Sequence, residues 1–498
     1  MMKFYTKKAE VNGFCLLSDL KENINSIKEV FKNSNDLIIK EFMLANKKSC
    51  LIFIRGLNDI EAINESILKP CSLIKKLPAK LNMQFVLKNI IITSESETNS
   101  ELSFGANEIL KGKALLIIDG VKEFAVFSVE KFKERAISEP PTSAVLKGPR
   151  GGFVENIKTN ISLIRKIVSS TDLIFEHFNV GKYTQTQVSI FYISSIANKQ
   201  VVNEIKRRIK KISIDGILDS FYISQFLEFY PNSMFKQVGS CEKADIVCSK
   251  ILEGRVGILV DGSPIALTLP YLLIEDLQTS GDYYSDHAHS TFLRYLRIFS
   301  FLITIMLPGM YIAIELHHYK IIPLKFIVTI MNTTQQLPLS PFIEIIFVLL
   351  LFEVLYEASL RMPRYLGLAL SIVGALILGD TAAKAGLVSP PAVMIVALSG
   401  ITLYTLPDIA QQLSLLRVLF TVAGGCMGFF GILILIMFLL FHLNDFDAYG
   451  TAYFAPISPL HVTDLKDAIH KSDLTKMVLR PTSIKTKNKT RQRNKSNK

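Results

Sequence analysis

Apolar and polar positions follow two different patterns along the chain. Up to about residue 290, short apolar runs alternate with amphipathic stretches, whereas from Tyr295 to His442 apolar runs dominate and charges are rare. The first pattern predicts a soluble α/β region. The second predicts helices that cross a membrane, each needing about 20 mostly apolar residues.

The soluble part repeats itself. "ILKGKALLIIDGVKEFAVFSV" (Ile109–Val129) and "ILEGRVGILVDGSPIALTLP" (Ile251–Pro270) both read as helix end, glycine, buried strand, Asp-Gly turn and second strand. Gly112 and Gly254 suit a helix C-cap, where positive φ is needed. Asp119-Gly120 and Asp261-Gly262 suit a tight hairpin. Upstream, "SCLIFIRGLNDIEAINESIL" (Ser49–Leu68) and "VSIFYISSIANKQVVNEIKRRI" (Val188–Ile209) both run strand, polar turn, amphipathic helix, with Val201, Ile205 and Ile209 on one face. The repeat interval is one domain in length. Two similar α/β subdomains follow, each a small mixed sheet with packed helices, and then an α-helical transmembrane domain. The expected division is 1–135, a structured joint at 136–160, 161–290, membrane helices at 291–442 and a tail at 443–498.

The joint contains "ISEPPTSAVLKGPRGGFVENIKTN". Its glycines beside Lys147 and Arg150 resemble a phosphate cradle, but a P-loop needs Lys-Ser/Thr after its last glycine, and Pro149 removes an amide donor. A stiff connection is the better reading. Phe153, Ile157, Ile161, Ile164 and Val168 predict a helix starting near Gly152. The candidates for passing movement between subdomains are Glu139, Pro140, Gly148, Pro149, Arg150, Gly152 and Phe153.

Candidate spans are Tyr295–Glu315, with a kink expected at Pro308-Gly309, then Pro341–Ser359, Tyr365–Asp380, Val388–Pro407 and Leu413–His442. The last is about 30 residues, long enough to cross with tilt. A soluble half and a basic tail on one side require an even number of crossings, and four are expected. Ionisable groups at bilayer depth face a partner, a bundle interior or water. Glu353 and Glu357 lie one helical turn apart, with Arg361 continuing the face. They invite two readings: a Glu357–Arg361 salt bridge at the membrane edge, or carboxylates along a cation path. Asp380 with Lys384 invites the same pair. Gly367, Gly374 and Ala375 would allow close helix packing. Asp408 and Arg417 are expected at the interface.

Charge refines this picture. Of the formal net charge of +12, the tail Lys476–Lys498 holds nine Lys or Arg and no acid. Beside a last span, such a segment predicts disorder from about 476, contact with anionic lipid and a cytoplasmic side, rather than nucleic-acid binding. The N-terminal stretch has no apolar core of signal-peptide length, and six scattered cysteines fit a reducing compartment. His287 and His289, or His317 and His318, lack further ligands at metal-site spacing. No nucleophile elbow, HExxH, kinase or dinucleotide motif is present, so neither an enzyme nor a cofactor is expected.

With "SEPPTSAVLKGPRGGFVENIKTNISLIRK" (Ser138–Lys166), "DGSPIALTLP", "DYYS", "FLRYLRIFSFLITIMLPGMYIAI", "FEVLYEASLRMPRYLG", "AGLVSPPAVMIVAL" and "SLLRVLF" in this order, the chain resembles the A subunits of GerA-type spore germinant receptors of endospore-forming bacteria. The resemblance implies a multi-pass protein of the spore inner membrane, with its N-terminal region and tail in the spore core. It also implies a permease-like, nutrient-binding B subunit, a lipoprotein C subunit and oligomerisation of A chains into a nutrient-gated cation channel. A transporter or a passive scaffold subunit is the alternative. Pro141, Ser143, Lys147, Gly151, the Ser285–His289 stretch and Asp380 depart from the family pattern.

Overall fold

The structure, a computed structural model, describes residues 16–74, 76–78, 81–91, 95–129, 147–334, 337–361 and 382–492. Glu139, Pro140, Gly367, Gly374, Ala375, Asp380 and the span expected at Tyr365–Asp380 lie outside the described residues.

Subdomain 1 begins with α1 (Leu20–Val30), whose N-cap Asp19 accepts from the amide of Lys21. The hairpin β1 (Leu37–Leu44) and β2 (Lys47–Ile54) follows, then a helical run over 60–73, α2 (Met83–Asn89), β3 (Ser96–Asn99), α3 (Leu102–Leu110), β4 (Lys113–Ile118) and β5 (Phe124–Ser128). Subdomain 2 repeats the plan. Its elements are α4 (Ile157–Ile167), β6 (Leu173–Val180), β7 (Thr186–Ile193), α5 (Lys199–Lys211), α6 (Ser220–Leu227), β8 (Gly239–Cys241), α7 (Ala244–Leu252), β9 (Val256–Val260) and β10 (Ala266–Leu269). The strand orders are β1-β2-β4-β5-β3 and β6-β7-β9-β10-β8, the same topology twice. Apolar clusters cover both faces of each sheet.

Every described ladder is antiparallel, where mixed sheets were expected. In subdomain 1, β3 and β4 run the same way across α3, but β5 lies between them, so their parallel relation never becomes a ladder. Gly112 and Gly254 have φ of 93° and 106°, as helix C-caps require. Gly120 and Gly262 also have positive φ, but the aspartates before them do not, so these turns are not type I′. Instead each aspartate anchors the helix that opens its subdomain. Asp119 Oδ1 accepts from Leu20 N at 3.3 Å, and Asp261 Oδ1 accepts from Ile157 N at 3.1 Å. Buried Asn23 and Asn160 clamp the preceding turns in the same way, each bonding both the amide and the carbonyl of one residue, Leu17 and Val154 respectively. α4 therefore begins at Ile157, capped by Asn156, and not near Gly152. Phe153 still joins the core because its amide donates to Glu242 O at 2.7 Å.

The subdomains are joined by a buried ion pair. Arg165 on α4 donates to both carboxylate oxygens of Asp36, at 2.7 and 2.9 Å, and each side chain is 1% exposed. The Arg165 guanidinium also lies 5.1 Å from the centre of the Phe175 ring, and Ser34 links the pair to the Phe175 amide.

The helical half contains α8 (His287–His317), α9 (Leu324–Thr334), α10 (Pro341–Arg361), α11 (Pro390–Leu403) and α12 (Ala410–Asp445). Pro308 lies inside α8 without ending it. Among the described residues, α8 and the segment containing α12 are long and apolar enough to cross a membrane. α12 is not one straight rod, however. Gly428 has φ 62° and ψ −145°, outside the helical region. A Cβ on Gly431 would strike the carbonyl of Ala423, whereas residues eight apart in a straight helix are about 12 Å apart. Leu443 and Phe446 share a core cluster with Leu406 and Ile409. The chain therefore reverses at Gly428 into a helical hairpin, with both ends at the soluble half. His317 and His318 meet the hairpin tip, bonding Gly425 O at 2.8 Å and stacking on Phe429.

After Asp445 the chain folds back over subdomain 2 instead of becoming disordered at about 476. Lys487 N donates to Ile196 O, Arg480 Nε to Leu252 O, and the Asp464 carboxylate holds Thr482 and Ser483. Ile484 is buried beneath it.

Removing one member of a buried ion pair strands the other charge. Asp36→Leu and Arg165→Leu are each expected to destabilise the chain by about 3–5 kcal/mol, with the double replacement recovering much of that loss. Denaturant unfolding of the four proteins checks this, and additive effects would remove the pair from its bridging role.

Candidate functional site

Two short helical turns after β10 lead into α8, and a closed network of charges forms there. Asp282, 1% exposed, receives three hydrogen bonds from two arginines one turn apart on α8. They come from Arg294 Nε at 3.0 Å and from Arg297 at 2.9 and 2.8 Å to its two oxygens. Two more come from Thr279, its hydroxyl at 3.1 Å and its amide at 3.4 Å. Burial alone would raise the Asp282 pKa, but hydrogen bonds from Arg297 and Arg294 outweigh it and hold the carboxylate below its ordinary range. Arg294 also donates to the backbone and carboxylate of Asp467 in the returning C-terminal segment, and Tyr283 OH donates to Asp467 at 2.9 Å. Subdomain 2, the first long helix and the C-terminal segment thus share one polar knot.

A second cluster lies beside it. Glu275 pairs with Arg255 and, at 2.6 Å, with Lys250. Asp276 accepts from Tyr271 OH, and burial pushes its pKa up to about 7 despite nearby Lys236. A cavity of about 370 Å³ opens here, bounded by Asp245, Lys250, Arg255, Tyr284 and Asp408.

The described part of the joint docks on this region. Gly148 has φ 118°, and a Cβ there would lie 2.5 Å from the Tyr284 ring, so both backbone and space demand glycine. Tyr284 OH donates to Asp245 at 2.7 Å. Gly152 bridges to buried Lys243 at the edge of subdomain 2. Pro149 and Arg150 lie between these contacts.

Four helices converge on Arg417, which is fully buried and not interfacial as expected. It donates to Glu353 of α10 and, at 3.3 Å, to Ser399 of α11, whose hydroxyl donates to Thr304 O of α8 at 3.0 Å. The guanidinium lies 5.0 Å from the centre of the Phe352 ring. Glu357 instead pairs with Arg361 at 2.5 Å on an exposed face, the arrangement of a helix-edge salt bridge. Glu344 is buried and accepts from Ser389 N at the start of α11, where a negative charge suits the helix dipole.

Arg294, Arg297, Asp467 and the interior position of Arg417 escaped the sequence reading. Two arginines three apart after an Asp-Tyr-Tyr were a usable signal. Asp467 lies 185 residues beyond Asp282, and no local pattern links them.

The family model described as Bacillus/Clostridium GerA spore germination protein matches residues 25–483. Spore germination protein KA of Bacillus subtilis (strain 168) is 34% identical over 478 residues, covering 95% of this chain and 88% of that protein. An uncharacterized membrane protein of the same organism, YfkQ, is 31% identical over 93% of this chain and 91% of its own length. The crystal structure of the N-terminal domain of the A subunit of the Bacillus megaterium spore germinant receptor GerK3 is 29% identical, with a TM-score of 0.40. It covers 52% of this chain and 98% of that one.

Asp276 generates a test. Its raised pKa means that the folded chain keeps a proton the unfolded chain has lost, so its ionisation weakens folding as pH rises from about 4 to 7. Asp276→Asn is expected to raise Tm by at least about 2 °C at pH 8 and to have no effect at pH 4. Calorimetric scans at the two pH values decide, and equal shifts at both would refute the assignment.

Proposed function

The chain belongs to the GerA family of spore germination proteins, and on that premise we propose that it is the A subunit of a germinant receptor that triggers spore germination. In this reading it works with a permease-like B subunit that takes the nutrient and a lipoprotein C subunit. Its copies assemble in the spore inner membrane around a cation path. The observation that carries the proposal is the unbroken series of contacts from the joint to the buried pair: Gly148 on Tyr284, Asp282 on Arg294 and Arg297, then α8 to Thr304, Ser399, Arg417 and Glu353.

The hairpin at Gly428 supports an even number of passes. Splitting the last of the five spans expected from the sequence at Gly428 gives six passes in place of the expected four. The soluble half and the C-terminal segment then share the cytoplasmic side.

Glu353, Glu357 and Asp380 remain the ion-path candidates. A carboxylate attracts a passing cation only while no fixed cation neutralises it. Glu353 holds Arg417 and Glu357 holds Arg361, so this arrangement corresponds to a closed state. Opening withdraws Arg417 from Glu353, driven by displacement of α8 when the joint and the Asp282 knot shift. A passive scaffold is the competing reading. A transporter has less support, because the internal repeat that the chain shows lies in its soluble half.

Glu353→Gln is expected to alter cation release from spores after nutrient addition, and unchanged release favours the scaffold. Gly148→Val is expected to slow germination by about tenfold, equivalent to about 1.4 kcal/mol of lost coupling, while the partner subunit binds nutrient as before. Normal germination in that variant reduces the joint to a spacer.

A further inference from the structure

α6 carries aromatic side chains on the face that a solvated helix would make polar. Ser220, Ile223, Ser224 and Leu227 point into subdomain 2, spaced as one helical face. The opposite face presents Phe221, 62% exposed, with Tyr222 and Phe226, and Leu218 continues it before the helix. Tyr183 adds to it from the neighbouring hairpin, whose backbone bonds Ile214 and Asp215. Other exposed apolar side chains of the soluble half, such as Met43 and Leu73, belong to other elements. An exposed helix face that sets three aromatic rings around one polar residue, Gln225, is a contact surface.

Its position says what covers it. The last α6 carbonyl, Leu227 O, accepts from Tyr449 OH at 2.8 Å. Tyr230 OH donates to Asp445 O at 3.1 Å, and its ring stacks on Phe446. α6 is therefore pinned to the four residues that follow the returning arm of α12. That arm exposes Phe438 and Phe441, the latter one turn before Asp445. The apolar surface of the arm thus ends beside the C-terminal end of α6. Alongside, Arg207, Arg208 and Lys211 of α5 form a groove with Phe226, where Glu204 pairs with both arginines and leaves a net positive charge, and Lys182 lies over the Tyr183 ring. Aromatic rings beside cations suit the boundary between acyl chains and anionic headgroups.

We propose that the α6 face, with the basic edge of α5, seats in the anionic headgroup layer of the leaflet from which α12 emerges. It would act as a second membrane anchor that sets the height of subdomain 2. The inference rests on the membrane-spanning reading of α12. It also moves the lipid contact expected of the C-terminal tail to a different element, since residues up to 492 fold onto subdomain 2.

The chain contains no tryptophan, so single replacements report their own surroundings. The full chain is reconstituted in nanodiscs of phosphatidylcholine with phosphatidylglycerol, with and without brominated acyl chains. Phe221→Trp is expected to emit at short wavelength and to lose roughly half its emission to bromine near the headgroups. The loss should be smaller in pure phosphatidylcholine or when Arg207→Glu and Lys211→Glu are added. Met43→Trp in subdomain 1 should remain red-shifted and unquenched. A Phe221→Trp signal that is red-shifted overturns the proposal. One that is blue-shifted but unquenched also overturns it and assigns the face to a second copy or another protein. Phe438→Trp on the arm separates the premises: if it too escapes quenching, the membrane-spanning reading itself fails.

Discussion

A carboxylate sealed from water must be surrounded by donors, and Asp282 is the place where this requirement organises the molecule. Its two arginines come from the first turns of α8, and one of them also holds Asp467. Removing Asp282 would strip Arg297 of its counter-charge and leave buried Arg294 with Asp467 alone, which is far more costly than the net worth of the intact network. The soluble half, the helical half and the returning C-terminal segment are therefore tied together where they meet. The joint reaches the same place through Gly148 and Tyr284.

The soluble half supplies a rigid body for that tie to act on. The duplicated anchors, an aspartate after the central strand and an asparagine inside the first helix, lock each opening helix to its own sheet. Arg165 and Asp36 then fasten one copy to the other.

In the helical half, packing depends on missing side chains. A Cβ at Gly309 would strike the backbone of Phe420, and one at Gly424 the backbone of Gly309. Close approach of this kind lets helices gain van der Waals contact where lipid offers no hydrophobic drive. It also brings Arg417 within reach of Ser399 and Glu353, so the buried pair depends on the glycines.

The class of each half, the duplication, the caps at Gly112 and Gly254 and the family resemblance were legible in the sequence, because they depend on period, composition and residues close along the chain. The helix at Ile157 was misplaced by a few residues, since Phe153 reaches the core from an extended segment and mimics helical spacing. The reversal at Gly428 was hidden for a similar reason: an apolar run of about 30 residues reads alike whether straight or folded. The partners of Glu353, Asp282, Arg165 and the basic tail were decided only in three dimensions. A buried charge takes whichever counter-charge the packing brings near, and that choice leaves no local pattern along the chain.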